Sequence, residues 1–301
     1  MTAGCRGLQA AVAAALVAVA CTGGGADHFT AALVDVGAGR RMYVECAGVG
    51  APTVVLVAGK GNRADTWSTS RAEPDNPDAA VFRRVARFTR VCAYDRPATV
   101  GPAEERSRSD PTPEPVTAAD GVADLAALLA AADVRGPYVL VGHSYGGLIA
   151  RLYASTYPDV VAGVVLEDAL SEGLYAGLTA QQQAILEKIN EVPERVDTVR
   201  SFAQVTSAPP VHAVPMVILT ADTPPISAED VASGALPGVT PEFVDALWVA
   251  QVAAQNALAA LFPWARHVTD TRSRHYIHAE QPQLVVAAIR DVVDAVRGAG
   301  R

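Results

Sequence analysis

The sequence lacks the features that would indicate a nucleic-acid-binding, fibrous or repeat protein. Lys and Arg number 24 against 32 Asp and Glu, which gives a formal net charge of −8. A nucleic-acid-binding face needs surplus positive charge, so this balance argues against nucleic acid as a partner. No internal repeat, low-complexity tract or heptad pattern is present in the 301 residues. With 50% hydrophobic residues, the chain can bury the large core of one globular domain.

Long hydrophobic runs are also scarce, and the main one lies at the N-terminus. Residues 8–20 are apolar and small, Arg6 precedes them, and Ala18-Val19-Ala20 is a cleavage pattern of the A-x-A type. The run is too short to span a bilayer comfortably. We therefore predict a signal segment over residues 1–21, a flexible tether over 22–30 and an exported mature chain.

Cys21 directly follows the small residues of this segment and precedes Thr-Gly-Gly-Gly. The segment therefore also resembles a bacterial lipoprotein signal, in which Cys21 would be lipidated and would anchor the protein to a membrane. Ala18 fits that pattern less well than leucine would at the same position. A membrane-anchored lipoprotein and a freely secreted protein are both open.

The most informative motif lies at residues 142–146, Gly-His-Ser-Tyr-Gly. It follows an apolar run, residues 137–141, and opens onto residues 147–154, which have the composition of a buried helix. A G-x-S-x-G sequence between a strand and a helix is the nucleophile elbow, a turn so sharp that the residues flanking the serine must lack bulky side chains. The turn lifts the hydroxyl of Ser144 above the sheet, where it can meet a histidine base. We therefore predict that Ser144 is a nucleophile.

Three other segments agree with that prediction. Residues 51–61 have the pattern of a buried strand that runs into a loop, residues 90–97 that of a short strand ending in a polar turn, and residues 273–282 precede an apolar helix. With the serine motif they resemble the α/β-hydrolase family, in its branch of small serine esterases and lipase-like enzymes. The resemblance covers the chain from about Val34 to its end. It implies an α/β fold over residues 31–301, a mostly parallel sheet of about eight strands flanked by helices.

The resemblance also implies a short helical lid between strands six and seven. Residues 170–210 form the insertion at this place, with helical stretches such as residues 179–190. Because the family places a lid over the pocket here, we expect substrate selectivity to depend on these residues.

Two histidines, His275 and His278, compete for the position of catalytic base after the last strand. Neutral imidazole can take the serine proton near pH 7 and later return it to the leaving group. The family's histidine follows a glycine in a Ser-Gly-His-Tyr-like turn, which aligns with residues 273–276 and favours His275. Arg274 departs from that pattern, so either this residue needs no positive φ or the loop differs. We interpret His278 as a polar residue at the start of the last helix, and no third ligand cluster indicates a metal site.

The triad acid has two candidates, Asp168 and Asp222, since both lie between the serine and the histidine, as chain order in the family requires. Asp168 ends the predicted sixth strand and Asp222 the predicted seventh. The seventh-strand acid is the commoner location in the family, but Asp222 comes early, in the place of a small turn residue. Similar branches carry Leu-Val-Asp-Ala after strand six, where this sequence has Leu-Glu-Asp-Ala at 166–169. We favour Asp168 and keep Asp222 as the alternative; either could instead cap the element that follows.

Cysteines are few, four in all. In an exported chain Cys5 leaves with the signal and Cys21 is the new terminus, so Cys46 and Cys92 remain to be paired. We place them in the second and fourth strands, which are neighbours in the family's strand order. The resemblance therefore implies a disulfide between Cys46 and Cys92. Two buried free thiols are the alternative.

The function that the resemblance implies is hydrolysis of a small to medium carboxylic ester through an acyl-enzyme, with the backbone N–H groups of Tyr145 and Lys60 as the oxyanion hole. No cofactor, metal ion or protein partner is implied, and the expected partner is a small-molecule ester. Hydrolysis of peptide, amide, lactone or carbon–carbon bonds by the same triad stays open. So does a non-catalytic ligand-binding protein on this scaffold, which Arg274 and Lys60 make conceivable.

Overall fold

The computed structural model of the protein describes residues 28–299. The predicted signal segment, Cys5, Cys21 and most of the predicted tether lie outside these residues. Within the described range, eight strands form one sheet: β1 (Thr30–Asp35), β2 (Arg41–Ala47), β3 (Thr53–Val57), β4 (Val91–Tyr94), β5 (Tyr138–His143), β6 (Val161–Glu167), β7 (Met216–Leu219) and β8 (Arg266–Val268).

Ten α-helices are found in the same range: α1 (Val81–Ala86), α2 (Ala118–Ala131), α3 (Tyr145–Thr156), α4 (Glu172–Ala176), α5 (Ala180–Ile189), α6 (Thr198–Ser207), α7 (Ala228–Ser233), α8 (Pro241–Ala260), α9 (Ile277–Glu280) and α10 (Pro282–Ala299). Two 3₁₀ turns, Ala64–Ser68 and Pro77–Ala79, join β3 to α1. The Thr117 hydroxyl and the Asp120 carboxylate form a capping box that starts α2. None of the helices within residues 28–299 is both long and apolar enough to cross a bilayer.

The strand order of the sheet is β1-β2-β4-β3-β5-β6-β7-β8. β2 pairs antiparallel with both β1 and β4, and all other pairs are parallel. Parallel neighbours need crossover connections, and helices supply them from β3 through β8. This confirms the predicted mostly parallel, eight-stranded sheet flanked by helices.

The central strands are buried on both faces because helices cover both sides of the sheet. Successive residues of one strand point to opposite faces. Val55 and Leu140 accordingly pack in the core under α2 and α3, whereas their neighbours Val54 and Val139 pack against α1 and α10. This double burial explains why these strands are continuous apolar runs and do not alternate with polar residues.

The insertion between β6 and β7 contains α4, α5 and α6. Leu174 of α4 and Leu186 of α5 form a small separate core with Phe243 and Leu247 of α8. The predicted helical stretch at 179–190 corresponds to α5, which Thr179 caps. The insertion is thus a helical layer that packs on α8 above one end of the sheet.

Cys46 and Cys92 are directly opposite each other in the antiparallel pair of β2 and β4. Their Cα atoms are 4.1 Å apart, and the two residues form a disulfide in the structure. The bond links the antiparallel edge of the sheet to the parallel part.

Candidate active site

Ser144 lies on the turn between β5 and α3, with φ 51° and ψ −122°. L-residues other than glycine rarely adopt such a conformation, and it persists only where neighbouring structure holds it. Here the Ser144 N–H donates to the Glu167 carbonyl at 3.1 Å, and the Ser144 carbonyl accepts from the N–H groups of Gly147 and Leu170, both at 2.9 Å. Strand β6 and the chain after it therefore hold the serine in its strained position.

The glycines at either side of Ser144 are required by close backbone contacts. A Cβ atom on Gly146 would lie 2.6 Å from the Ala58 carbonyl oxygen, and one on Gly142 would lie 2.6 Å from the Gly146 carbonyl oxygen. Real Cβ atoms essentially never approach other atoms so closely. The structure thus supplies the steric reason for both glycines of the motif.

Asp168 directly follows β6, is 2% exposed, and contacts His275. Because a carboxylate only accepts hydrogen bonds, His275 Nδ1 donates to Asp168 Oδ2, at 2.6 Å. The other carboxylate oxygen accepts from the Ala221 N–H at 3.1 Å and from Gln251 Nε2 at 3.2 Å. Three donors therefore fix the carboxylate, and His275 Nε2 is left as the nitrogen that can accept a proton.

Asp222 is placed differently. β7 ends at Leu219, earlier than the sequence predicts, so Asp222 lies in the loop and does not end the strand. Its exposed carboxylate accepts from the N–H groups of Arg272 and Ser273, at 2.9 and 3.0 Å. Burial alone would raise the pKa of Asp222, but these backbone hydrogen bonds outweigh it and the pKa is lowered. Asp222 thus braces the loop before His275, and Asp168 is the acid that contacts the histidine.

The loop before His275 also shows why residue 274 need not be a glycine. The positive φ, 51°, is found at Arg272, two residues earlier, while Arg274 is absent from the described residues with positive φ. Arg274 therefore needs no glycine-like backbone, which explains how an arginine occupies the place of the glycine in the family pattern.

Two opposing effects set the pKa of His275. Partial burial lowers it, whereas the hydrogen bond and the negative charge of Asp168, with a smaller contribution from Glu167, raise it more. The pKa therefore lies above its ordinary value of 6.5. No hydrogen bond joins His275 to Ser144 within the described part of the chain, although both line one cleft. Such bonds often tighten only when substrate is bound.

The sequence interpretation of His278 as a polar residue at the start of the last helix is wrong, because α10 begins only at Pro282. His278 lies in α9, is completely buried, and pairs with Glu167, which is buried as well. Its backbone N–H and its Nδ1 both donate to Glu167 Oε1 at 2.7 Å, and its Nε2 is hydrogen-bonded to the Thr66 hydroxyl at 3.0 Å. Glu167 is the strand residue next to Asp168 and so points to the opposite face. A charged residue at the end of an apolar strand was the one sequence signal of this pair.

His143, the second residue of the elbow motif, packs against His275. Its Nε2 donates to the His275 carbonyl at 3.0 Å, and its ring centroid lies 4.6 Å from that of His275. Burial and the neighbouring His275 and His278 hold its pKa well below the ordinary value, so His143 is neutral. His143, Glu167 and His278 bring possible metal-ligating atoms within 4.8 Å of one another. Because both ring nitrogens of His278 are hydrogen-bonded, we interpret the group as a support for the His275 loop.

The two backbone N–H groups predicted to form an oxyanion hole are both available. Tyr145 is the first residue of α3, so its N–H has no partner inside the helix. The Lys60 N–H donates to no group in residues 28–299. The loop of Lys60 also lies beside the serine, since a Cβ on the preceding Gly59 would be 3.2 Å from Ser144 Cβ.

A cleft of about 910 Å³ opens above these residues. Ser144, Asp168, His275, Tyr145 and Lys60 all line it. Much of its lining comes from the insertion between β6 and β7, through Leu170, Leu174, Tyr175, Leu186, Ile189 and Val192.

Residues 54–300 match the model of the alpha/beta hydrolase family. The chain therefore belongs to this family. Among solved structures, it is similar to Est816, described as an N-acyl homoserine lactone degrading enzyme, with 17% identity, a TM-score of 0.57, and coverage of 86% of this chain and 99% of that one. It is also similar to a thermophilic esterase from Thermogutta terrifontis, with 20% identity, a TM-score of 0.52, and coverage of 89% and 99%. At such identities the likeness concerns the fold alone.

Among curated proteins, the chain is 32% identical over 121 residues to the uncharacterized protein YqjL of Bacillus subtilis (strain 168). The match covers 40% of this chain and 41% of YqjL. The chain spans less than half the length of the curated relatives that it matches. Together the family match and the structural neighbours establish the α/β-hydrolase fold of this chain.

Proposed function

We propose that this protein is a serine hydrolase that cleaves a small to medium carboxylic ester through an acyl-enzyme intermediate. The observation that carries the proposal is the 2.6 Å hydrogen bond from His275 to the buried Asp168, in the cleft that the elbow serine Ser144 also lines. A serine, an imidazole and a carboxylate in this relation form the machinery of nucleophilic acyl transfer.

Acylation begins when Ser144 Oγ attacks the ester carbonyl carbon while His275 Nε2 takes the hydroxyl proton. Asp168 fixes the tautomer of His275 and stabilises the imidazolium that forms. The carbonyl oxygen becomes an oxyanion, to which the N–H groups of Tyr145 and Lys60 donate. His275 then gives its proton to the departing alkoxide, which leaves as the alcohol. Ser144 is now esterified by the acyl group.

Deacylation repeats these steps with water as the nucleophile. His275 takes a proton from water, the resulting hydroxide attacks the acyl carbon, and the same two N–H groups hold the second oxyanion. The proton returns to Ser144 Oγ as the carboxylic acid leaves. The cycle uses groups of this chain and water.

The cleft supports a substrate of modest size. Its volume of about 910 Å³ is in the range of sites for drug-sized molecules. Leu174 and Leu186, from the insertion, give it an apolar wall that suits an acyl or alkyl group. We further propose that the insertion over residues 170–210 acts as a lid and determines chain-length selectivity.

The test is turnover of p-nitrophenyl esters of increasing acyl length by the wild-type protein and by Ser144→Ala. We expect activity that rises and then falls with chain length, and none above background for the alanine variant, which should fold normally because the hydroxyl contributes little packing. Near wild-type esterase activity of Ser144→Ala would refute the mechanism. A lactone, an amide and a peptide belong in the same panel. Turnover of one of these without ester turnover would favour that reaction on the same triad.

We also propose that the mature chain is exported, either lipidated at Cys21 or free. The disulfide between Cys46 and Cys92 supports export, because such bonds persist in oxidising compartments. Metabolic labelling with a radioactive fatty acid distinguishes the two forms. A labelled protein whose label is lost in Cys21→Ser indicates a lipoprotein, and an unlabelled protein in the culture medium indicates secretion. Protein that stays in the cytoplasm would contradict both.

A further inference from the structure

Arg96 lies just after β4 and is buried, with 3% of its surface exposed. Its Nη1 donates to the Ala58 carbonyl and its Nη2 to the Gly59 carbonyl, both at 2.7 Å. These are the last two carbonyls before the peptide N–H of Lys60. The Gly59 carbonyl belongs to the same peptide unit as that N–H, so its orientation sets the direction in which the N–H points.

Glu194 lies in the insertion, between α5 and α6, and is 1% exposed. Its two oxygens accept from Arg96 Nε at 2.7 Å and from Arg96 Nη2 at 3.0 Å. Its Oε2 also accepts from the Gly61 N–H at 2.6 Å. One buried ion pair therefore holds the backbone on both sides of Lys60.

Two further carbonyls of the loop are also bonded. The Lys60 carbonyl accepts from Asn62 Nδ2 at 2.9 Å, and the Gly61 carbonyl accepts from the Val100 N–H at 2.8 Å. Val192, from the same segment as Glu194, packs on Gly61, where a Cβ would meet its Cγ2 at 2.9 Å. Within residues 28–299 the Lys60 N–H has no hydrogen-bond partner, whereas the Gly59 and Lys60 carbonyls and both polar backbone atoms of Gly61 are bonded.

The guanidinium of Arg96 also approaches the second predicted oxyanion donor. Its central carbon lies 5.5 Å from the ring centroid of Tyr145, within the range of cation–π attraction. The same side chain thus contacts the loop of one donor and the side chain of the residue that supplies the other.

We propose that Arg96 and Glu194 are positioning residues that pre-orient the Lys60 N–H toward the oxyanion, so that the insertion takes part in catalysis by anchoring the oxyanion loop. This rests on the proposed esterase function. A donor that is already oriented costs no reorganisation when charge develops in the transition state. A loop freed from Glu194 must be ordered again in each turnover, which raises the barrier and leaves substrate binding nearly unchanged.

The test variant is Glu194→Gln, which keeps the shape of the side chain and removes its charge. Loss of a complete oxyanion donor costs about 10²–10³ in kcat, so we expect a displaced donor to cost about 10–100-fold. KM for p-nitrophenyl butyrate should change less than about threefold, since the interaction is made in the transition state. Affinity for a trifluoromethyl ketone, whose hemiketal oxygen occupies the oxyanion site, should fall in parallel with kcat.

Glu172→Gln is the matched control. Glu172 also lies in the insertion and also forms a double hydrogen bond with a buried arginine, to Arg151 Nη1 at 3.0 Å and Nη2 at 3.2 Å. In the described part of the chain, no side-chain hydrogen bond or cation–π contact joins Arg151 to Lys60 or Tyr145. We expect this variant to lose stability and to keep its kcat and its affinity for the ketone.

Three results would overturn the proposal: an unchanged kcat in Glu194→Gln, a loss equal to that of Glu172→Gln, or a loss confined to KM. Should Glu194→Gln fail to fold, Val192→Ala decides, because Val192 is partly exposed and its truncation only loosens the packing on Gly61. We expect its kcat to fall several-fold, and a wild-type kcat would refute the proposal. A wild-type protein that hydrolyses no ester would instead refute the proposed function, which is a separate outcome.

Discussion

Replacing Asp168 with asparagine should both slow the reaction and shift its pH dependence in a direction that the site determines. Asp168 is 2% exposed and accepts the Nδ1–H of His275 at 2.6 Å. Burial lowers the pKa of His275, and Asp168 raises it above 6.5 through its hydrogen bond and its charge. In Asp168→Asn, His275 stays buried but no longer has a negative charge beside it, so the pKa of His275 should fall.

The magnitude follows from what the carboxylate does. An amide cannot hold imidazole in the required tautomer with the strength of a carboxylate, and it does not stabilise the imidazolium. A loss of about 10⁴-fold in kcat is expected for this change in a serine triad. Since the neutral imidazole is the active form, the acidic limb of kcat/KM should move to lower pH as the His275 pKa falls.

The assay is kcat/KM for p-nitrophenyl butyrate between about pH 5 and about pH 9, which reports the ionisation of the free enzyme. Asp222→Asn is the control, because within residues 28–299 that exposed carboxylate bonds only to backbone N–H groups of the loop and to its neighbour Thr223. We expect its rate to stay within about tenfold of wild type, as for loss of surface hydrogen bonds. A larger loss in Asp222→Asn than in Asp168→Asn, or an acidic limb that moves to higher pH in Asp168→Asn, would refute the assignment.

Three further predictions concern stability. His278→Ala should lose about 3–5 kcal/mol of unfolding free energy in urea titration, because the buried Glu167 loses its imidazole partner. His275→Ala should lose less, because Asp168 keeps the Ala221 N–H and Gln251 as donors; equal losses would contradict this difference. Replacing Cys46 and Cys92 with alanine removes a cross-link between residues 46 positions apart. The free energy of unfolding should fall by about 4 kcal/mol in the chain-entropy model, and kcat should be unchanged. Two free thiols in protein from its native compartment would exclude the bond. Gly146→Ala should abolish activity and lower the melting temperature, since its Cβ would meet the Ala58 carbonyl. Gly298→Ala is the control and should be neutral, because a Cβ there lies in open space. A fully active Gly146→Ala would contradict the elbow geometry.

The features that could be predicted from the sequence are those that depend on short-range pattern. The elbow around Ser144 needs two glycines and a serine at fixed spacing, and the buried strands are continuous apolar runs, so both are visible locally. The contact of Asp168 with His275 could be predicted only as a choice between two acids. The sequence argument against Asp222 was that it comes too early, at the end of the seventh strand. Because β7 ends at Leu219, Asp222 lies past the strand end and that argument fails. The contact of Asp168 with His275 then distinguishes the two acids.

The features that sequence reasoning missed are buried pairs between distant residues. Glu167 and His278 are 111 positions apart, and Arg96 and Glu194 are 98 apart. No local spacing indicates such a pair, since its partners meet only after the sheet and the insertion have formed. Apart from Glu167, which ends an apolar strand, each partner taken alone resembled an ordinary polar or charged residue of a turn, a loop or a helix start.

The central claim is that Ser144 is an activated nucleophile, and active-site labelling tests it most directly. The wild-type protein is incubated with a fluorophosphonate, digested, and analysed by mass spectrometry, with Ser144→Ala and His275→Ala as parallel samples. We predict a single phosphonyl adduct on Ser144, no adduct in Ser144→Ala, and labelling slowed by several orders of magnitude in His275→Ala. An unlabelled wild-type protein, or an adduct on another residue that persists in Ser144→Ala, would contradict the account.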